Sequence, residues 1–253
     1  MKSRILWIVG GILAFLLFVI AYMPAAQVLG RVSLPNNVQV SGVSGTIWNG
    51  NAQQVVVNNL PVSLVEWDIH PFSLLLGKIS ADIKGGNLRQ SDAVAFEGEV
   101  MLNVFNMGHV RSDDFLLFLP TDRVLAEVSL PLPVNAGGRF RVRMEQFAFG
   151  PKCEAMRGFG DWLNATVQGT QGPIDFGNYT ATLRCEGDDI GVKVAEPNLL
   201  GLSFDAVINP ETSDLTTEGQ FKIDDSLPNE VHQAAQLFGQ PDADGYTRFR
   251  IPN

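Results

Sequence analysis

The sequence predicts a mainly β protein that carries one transmembrane helix at its N-terminus. An uncharged apolar run extends from Ile5 to Met23, and apolar and polar residues alternate through most of the chain that follows. Alternation with a period of two is typical of antiparallel strands that bury one face and expose the other. Helical signals after Met23 are few and short, so we expect a β body with only a few short helices.

The apolar run is long enough to cross a bilayer as a helix. At about 1.5 Å per residue it extends over roughly 28 Å, close to the thickness of the hydrocarbon core. Lys2 and Arg4 precede the run, and a short positive N-terminus tends to stay in the cytoplasm. We therefore predict an uncleaved anchor with a translocated body. A removed signal peptide is the alternative, although Ala25 and Ala26 fit a cleavage site poorly.

The predicted chain has three parts: residues 1–4 in the cytoplasm, a transmembrane helix over 5–23, and a β domain over 24–253. The body is long enough for one large β domain or two small ones, and no clear boundary divides it. The formal net charge of the chain is −9. This charge disfavours nucleic acid and anionic lipid headgroups as main partners.

About a dozen strands are predicted from the alternation and from the glycine, proline and asparagine residues that separate them. Short helices are predicted at 71–77, 112–119 and 228–238, from the residues that begin and end them. The predicted strands lie at 38–40, 46–57, 65–70, 79–84, 96–104, 124–130, 139–145, 165–167, 179–185, 190–194, 202–208 and 221–223.

Motifs for catalysis or metal binding are missing from the sequence. The three histidines, His70, His109 and His232, have no second ligand at the spacing of a metal site. The stretch at 42–45 lacks the final glycine and the following helix of a nucleophile elbow. We therefore predict that the protein is not an enzyme and has no catalytic residue, no cofactor and no bound metal.

The two cysteines, Cys153 and Cys185, both follow the predicted anchor. In an oxidising compartment a disulfide between them is the natural interpretation. Two buried free thiols are the alternative, because cysteine packs well as a small apolar residue. The spacing of the two residues excludes a C-x-x-C redox or zinc site.

A tryptophan between two glycines marks the start of the β body. Gly45 and Gly50 bracket Trp48, and the Asn49-Gly50 pair supplies the positive φ of a tight turn or bulge. Trp48 and Trp67 are large enough to anchor one end of the sheet core, and a binding role is the alternative. The predicted structural motif comprises Gly45, Thr46, Trp48, Asn49, Gly50, Trp67 and Gly77.

One predicted strand face concentrates positive charge in an otherwise acidic body. Arg139, Arg141 and Arg143 alternate with apolar residues, so all three side chains lie on one face. This face is a candidate contact with an acidic partner. The alternative is an ordinary solvated strand face.

Two segments resemble one bacterial family. They are 42–52, Gly-Val-Ser-Gly-Thr-Ile-Trp-Asn-Gly-Asn-Ala, and 65–77, Val-Glu-Trp-Asp-Ile-His-Pro-Phe-Ser-Leu-Leu-Leu-Gly. They are similar to the Gly-Thr-x-Trp-x-Gly turn, the tryptophan strand and the Pro-x-x-Leu-Leu turn of the protein N family of the type II (general) secretion pathway. The single anchor, the length, the largely β body and the two cysteines look similar as well.

The resemblance implies an inner-membrane component of the type II secretion machinery with a periplasmic body. It would contribute to the assembly or function of the apparatus that exports folded proteins across the outer membrane. Its partners would be the inner membrane and other subunits of the machine, and no catalytic residue is carried over.

The strand pattern is also similar to that of AsmA-like envelope proteins, which implies a curved, extended antiparallel sheet. The alternative function that follows is a carrier or scaffold for lipid or another apolar ligand, anchored in the inner membrane and working in the periplasm.

Overall fold

One antiparallel sheet contains about half of the residues that the structure describes. The structure is a computed structural model, and it describes residues 2–32, 34–126, 135–212 and 214–251. Within these ranges the sheet has 15 strands, accompanied by a few short helices and one longer N-terminal helix. The prediction of a mainly β body is confirmed.

The apolar run at the N-terminus is helical. Helix α1 extends over Lys2–Ala21, and after a short break α2 follows over Ala25–Leu29. The described side chains of α1 are exposed on all sides, from Leu6 to Ile20. Within the ranges that the structure describes, no helix meets both the length and the apolarity required to cross a membrane.

The strands are bounded as follows: β1 (Val38–Ser41), β2 (Ser44–Gly45), β3 (Asn49–Val57), β4 (Leu60–Ile69), β5 (Lys78–Gly85), β6 (Ala95–Asn103), β7 (Asn106–Ser112), β8 (Phe115–Pro120), β9 (Ala136–Phe149), β10 (Cys153–Gly169), β11 (Gly172–Glu186), β12 (Asp189–Val194), β13 (Ser203–Ile208), β14 (Leu215–Phe221) and β15 (Thr247–Ile251). Helix α3 covers Thr121–Leu125 and α4 covers Asn229–Ala235, while short 3₁₀ helices cover Pro71–Leu76 and Gln236–Phe238.

Strands that follow one another in the chain are mostly neighbours in the sheet. The order is β1-β3-β4-β5-β6-β7-β9, and it then runs without interruption from β10 to β15. Strand β2 pairs with β3, while β8 pairs with both β6 and β9. β7 and β8 therefore share one position between β6 and β9, each along a different part of these longer strands.

Two sequence predictions failed around the β7–β8 turn. The helix predicted at 112–119 is absent, because Ser112 ends β7, Asp114 adopts a positive φ of 71°, and Phe115–Pro120 forms β8. Pairing with β6 and β9 on both sides outweighs the local capping signal. In addition, 121–125 is helical instead of the start of the strand predicted at 124–130; residues 127–130 lie outside the described ranges.

The other predicted helices are present. Pro71–Leu76 forms a 3₁₀ helix that ends at Gly77, and the predicted helix at 228–238 is α4 followed by the second 3₁₀ helix. Local pattern missed β2 and β7, and the strand predicted at 221–223 overlaps β14 only at Phe221. It also missed β15, although Arg248 and Arg250 alternate there with apolar residues.

The strand register separates apolar from charged side chains. Trp67, Ile83, Gly98, Phe115 and Met144 lie opposite one another on neighbouring strands and form one row. Since successive residues of a strand point to opposite faces, the rows on either side project to the other face. Those flanking rows contain Glu66, Asp68, Asp82, Lys84, Glu97 and Glu99.

The main buried hydrophobic cluster lies in the C-terminal part of the sheet. Ala165 of β10 and Phe176 and Tyr179 of β11 are buried together with Leu227, which precedes α4. Partly buried side chains pack around them, including Trp162, whose ring centroid is 5.7 Å from that of Tyr179. The segment that leads into α4 therefore covers one end of the apolar face.

Candidate functional site at the helix–sheet junction

The predicted tryptophan motif forms a tight turn before β3. The backbone N–H of Thr46 donates to the carbonyl of Asn49 at 2.8 Å, and the N–H of Asn49 donates to the Thr46 hydroxyl at 3.1 Å. Gly45 has a φ of +85°, and a Cβ at this position would lie 2.6 Å from the Asn49 carbonyl oxygen. Only glycine fits this turn without strain.

This turn holds the C-terminal end of α1. The indole N–H of Trp48 donates to the carbonyl of Ile20 at 2.9 Å, and the backbone N–H of Ile47 donates to the carbonyl of Met23 at 3.0 Å. Pro24 and Thr46 form an isolated antiparallel bridge. The last carbonyl groups of a helix have no hydrogen-bond partner within the helix. The turn supplies N–H donors to carbonyl groups at and just after the end of α1. We call residues 20–25 and 46–48 together the helix–sheet junction.

Trp67 of β4 contacts the turn from the neighbouring strand. Its indole N–H donates to the carbonyl of Ile47 at 3.1 Å, and the N–H of Ile69 donates to the carbonyl of Trp48 at 2.6 Å. Gly50 leaves the space that the Trp67 ring occupies, because a Cβ there would lie 2.5 Å from Trp67 Cζ2. Both tryptophans are half-buried, and both connect the turn to its neighbours through directed hydrogen bonds.

Gly77, the last motif residue, lies two strands away from the turn. It ends the Pro71–Leu76 helix in the left-handed conformation, with a φ of 68°. A Cβ at this position would lie 2.7 Å from Cε2 of Phe105, which sits in the turn between β6 and β7. Gly77 therefore allows two loops at the same end of the sheet to touch.

The three arginines of β9 have different surroundings. The guanidinium of Arg139 donates to the carbonyl of Leu88 at 2.7 Å and lies 4.0 Å from the centroid of the Phe118 ring. Burial lowers the pKa of Arg139 from its ordinary value because removing the guanidinium from water disfavours its charged form. Arg139 is thus an internal packing residue.

Arg141 is also engaged within the protein. Its Nε and Nη2 donate to the same carboxylate oxygen of Asp161 at 3.0 and 2.7 Å. The other oxygen of Asp161 accepts from the Thr180 hydroxyl at 2.9 Å. In contrast, Arg143 is exposed, and we find no ion pair for it within the described ranges. Among the described residues, the predicted arginine face therefore retains one cation without an ion pair, Arg143.

Arg143 lies at the edge of a concave surface on the charged face of β3–β9. The concavity has a volume of about 800 Å³. Lys84 lines it and pairs with Glu66 at 2.9 Å, and this hydrogen bond raises the pKa of Lys84. We call this the acidic concavity, because seven carboxylates line it: Glu66, Asp68, Asp82, Glu97, Glu99, Asp113 and Asp114.

The sequence analysis did not single out the acidic concavity. The sequence does contain a pattern that could have indicated it, because acids occupy polar positions of three consecutive predicted strands. Only the strand register shows that these acids share one surface. Across the described ranges, no group of three or more histidine, cysteine, aspartate or glutamate residues is arranged to hold a metal ion.

The predicted disulfide is confirmed. Cys153 at the start of β10 is bonded to Cys185 near the end of β11, with Cα atoms 5.6 Å apart. The bond joins the open ends of the two longest neighbouring strands, at the other end from their connecting turn.

Comparison with known proteins identifies the family. The sequence model of the family described as type II secretion system (T2SS), protein N, matches residues 36–250. The chain belongs to this family.

Three curated relatives, each called type II secretion system protein N, agree with this assignment. The chain is 27% identical to the protein of Vibrio cholerae over 90% of its own length and 89% of the relative's. It is 26% identical to that of Aeromonas hydrophila (97% and 96%) and 23% identical to that of Pectobacterium carotovorum (97% and 95%). No solved structure matches the chain significantly.

Membership of the protein N family makes the chain a component of the type II secretion system, with a structural role and not an enzymatic one. The matched region includes the turn at 45–50, Trp67, Gly77 and both cysteines. The family therefore also implies association with other subunits of the secretion machine.

Proposed function

We propose that the protein is an inner-membrane component of the type II secretion machinery whose β body lies in the periplasm. In this proposal residues 5–23, which include most of α1, cross the inner membrane, residues 1–4 stay in the cytoplasm, and the sheet contributes to assembly or function of the apparatus. That apparatus exports folded proteins across the outer membrane. The proposal combines the family membership with the apolar, exposed surface of α1.

The hydrogen bond from Trp48 to Ile20 is the observation on which the proposal depends most. Together with the antiparallel bridge between Pro24 and Thr46, which includes the hydrogen bond from Ile47 to Met23, it links the end of α1 to the turn before β3. A flexible linker would leave the body free to rotate below the membrane. These links instead fix the direction in which the sheet leaves α1, which suits a subunit that must meet partners at a defined height and angle.

The acidic concavity with Arg143 is the proposed contact with another subunit of the machine. Its carboxylates are only partly neutralised, since Lys84 and Arg143 are the two basic residues that line it. Charge complementarity with a basic partner surface would guide the encounter and fix its orientation. The contact with an acidic partner that the sequence predicted over Arg139–Arg143 would rest on Arg143 alone, whereas the seven carboxylates beside it favour a basic partner.

Site-directed cross-linking in cells tests this contact. A photo-reactive amino acid replaces Arg143 in one variant and Arg250 of β15, which is paired with Glu218 at 3.0 Å, in a control variant. We expect position 143 to capture a secretion subunit and position 250 to capture none. Normal export of every type II substrate after deletion of the gene, with no captured subunit, would contradict the proposal.

A second experiment tests the anchor. Replacement of residues 1–23 by a cleavable signal peptide should leave the sheet folded but impair export, because the body loses its fixed position at the membrane. If the released body restored full export, α1 would serve only to deliver the protein to the periplasm.

A second candidate function is the transport or storage of an apolar ligand. It is favoured by the apolar row from Trp67 to Met144. The side chains of this row are only partly buried, so part of their apolar surface is open to a ligand. This proposal predicts that the purified protein carries phospholipid. Native mass spectrometry of a lipid-free protein that retains its fold and its activity in export would rule it out.

A further inference from the structure

Four large apolar side chains are exposed together at one end of the sheet. Phe72, Leu75 and Leu76 of the Pro71–Leu76 helix are 80%, 83% and 79% exposed, and Phe105 of the β6–β7 turn is 89% exposed. We call these four residues the apolar tip. Contiguous exposed apolar side chains in a soluble body usually mark a contact surface.

The register places the apolar tip at the same end of the sheet as the helix–sheet junction. At this end Asn49 pairs with Asp68, Ile69 with Ala81, and Lys78 with Asn103. The 3₁₀ helix lies between Ile69 and Lys78, and Phe105 lies two residues after Asn103, in the turn that follows β6. α1 and the apolar tip therefore extend from one edge, about four strand widths or roughly 20 Å apart at most.

Direct hydrogen bonds also connect the two features. The carbonyl of Ile20 in α1 accepts from Trp48, and the carbonyl of Trp48 accepts from the N–H of Ile69. The 3₁₀ helix begins two residues after Ile69. The end of α1 and the loop that carries Phe72 are thus connected through two hydrogen bonds. These bonds fix the position of Phe72 relative to the end of α1.

The apolar tip lacks acidic residues, although the protein as a whole is acidic. Between residues 70 and 78 the only titratable side chains are His70 and Lys78, and between 103 and 109 the only one is His109. The net charge of the chain is −9. The carboxylates nearest to these segments, Asp82 and Glu154, lie against His70 and His109. The segments themselves therefore add no negative charge that would repel a lipid surface.

We propose that the apolar tip inserts into the surface of the same bilayer that α1 crosses. The inference rests on the proposed membrane anchor and adds a second point of attachment to it. Apolar side chains at such surfaces lie about 5–10 Å within the boundary of headgroups and acyl chains. Two attachment points hold the sheet at a fixed tilt, whereas one helix leaves it free to rotate about the helix axis.

Lipid quenching of single fluorescent labels on the full-length protein tests the proposal. Both native cysteines are disulfide-bonded, so an introduced cysteine is the only thiol that reacts. The variants are Leu75→Cys in the apolar tip, Ile12→Cys in α1, and Leu237→Cys. Leu237 is a matched control, because it is 70% exposed and lies in the other 3₁₀ helix.

Each variant is labelled with an environment-sensitive dye and reconstituted into phospholipid vesicles with and without doxyl-labelled lipid. We expect strong quenching at position 12, and several-fold stronger quenching at position 75 than at position 237. A further variant, Leu75→Cys with Phe72→Ser and Leu76→Ser, should lose the quenching at 75 and keep a wild-type circular dichroism spectrum.

The outcomes separate the two proposals. Quenching at position 12 but not at 75 overturns the insertion of the apolar tip and leaves the anchor intact. The absence of quenching at position 12 overturns the anchor and the insertion together. A blue-shifted dye at position 75 that loses its shift when the protein is diluted in lipid assigns the apolar tip to a second copy of the chain, which also overturns the proposal.

Discussion

The N-terminal half of the sheet, β1–β8, and the C-terminal half, β9–β15, are stabilised in different ways. In the described part of β1–β8 and its loops, the buried hydrophobic residues are small: Ala52, Val62, Val94 and Ala95. In the C-terminal half, Phe176, Tyr179 and Leu227 are buried in one cluster, and a disulfide crosses β10 and β11.

The features proposed to make contacts have the opposite distribution. The helix–sheet junction, the apolar tip and nearly all of the acidic concavity belong to the N-terminal half. We infer that the C-terminal half supplies stability, while the N-terminal half leaves apolar and charged side chains exposed for contacts. Four predictions test this division, in decreasing order of expected effect.

Truncation of a core phenylalanine should cost far more in the C-terminal half than in the N-terminal half. Phe176 is 6% exposed, so Phe176→Ala should lower the free energy of unfolding by about 3–5 kcal/mol. Phe96 of β6 is only half-buried, and Phe96→Ala should cost about half as much. Urea denaturation of both variants measures the difference, and equal costs would contradict the division.

Removal of the disulfide should have the next largest effect. The bond closes a loop with a sequence separation of 32, so the double variant Cys153→Ser, Cys185→Ser should lose about 4 kcal/mol in the free energy of unfolding. A reducing agent should cause the same loss in the wild type and no further loss in the double variant. Unchanged stability of the double variant would show that the bond contributes nothing to the C-terminal half.

A methyl group at Gly50 should disturb the helix–sheet junction. The added Cβ would lie 2.5 Å from Trp67 Cζ2 and 2.8 Å from the carbonyl oxygens of Ser44 and Thr46, so Gly50→Ala should cost about 1–3 kcal/mol. Hydrogen exchange should accelerate at the N–H of Ile47 and Ile69, which donate across the junction.

Gly160→Ala in β10 is the matched control for this prediction. The nearest atom to a Cβ at Gly160 is 3.9 Å away, so the substitution should change stability little. If both variants behaved alike, the close packing of Gly50 against Trp67 would have no energetic importance.

The smallest effect concerns the alkaline limit of stability. Burial raises the pKa of Tyr179 to about 12, against a smaller opposing effect of the Leu200 backbone. In the unfolded chain the Tyr179 hydroxyl ionises near pH 10. The stability that the neutral, buried Tyr179 contributes is therefore fully present below pH 10 and is lost as the pH rises towards 12. At pH 11 the loss should be about 1 kcal/mol.

Tyr179→Phe removes the titrating group and should flatten the decline in the free energy of unfolding between pH 10 and 11. Titration of tyrosinate absorbance in the wild type and the variant identifies the late-ionising residue. An unchanged slope in the variant would assign the alkaline decline to other groups.

Several parts of the structure could be predicted from local sequence pattern. Alternation with a period of two predicted most strands, and the Pro71 and Gly77 pair predicted a short helical turn between β4 and β5. The pattern failed at 112–119, where a serine followed by two aspartates indicated a helix but two neighbouring strands impose β8.

For the candidate site, the sequence predicted which residues take part but not which groups they contact. The turn glycines and both tryptophans were identified, because glycine and large aromatic residues favour particular local roles. The positive φ predicted for Asn49-Gly50 is wrong: Gly45 adopts it, whereas Gly50 leaves room for the Trp67 ring. Their partners could not be predicted. Trp48 bonds to a carbonyl 28 residues earlier in the chain, and Arg141 pairs with an aspartate 20 residues later.

The sequence by itself determined that this protein has an apolar N-terminal helix, a mainly β body, a pair of cysteines and the signature of its family. These properties depend on spacing along the chain, which is a local quantity. Only the tertiary structure decided that Trp48 holds the end of α1, that Arg139 is partly buried and Arg141 pairs with Asp161, and that acids on several strands share one surface. Such contacts depend on strand register, and register results from the pairing of segments that are distant in sequence.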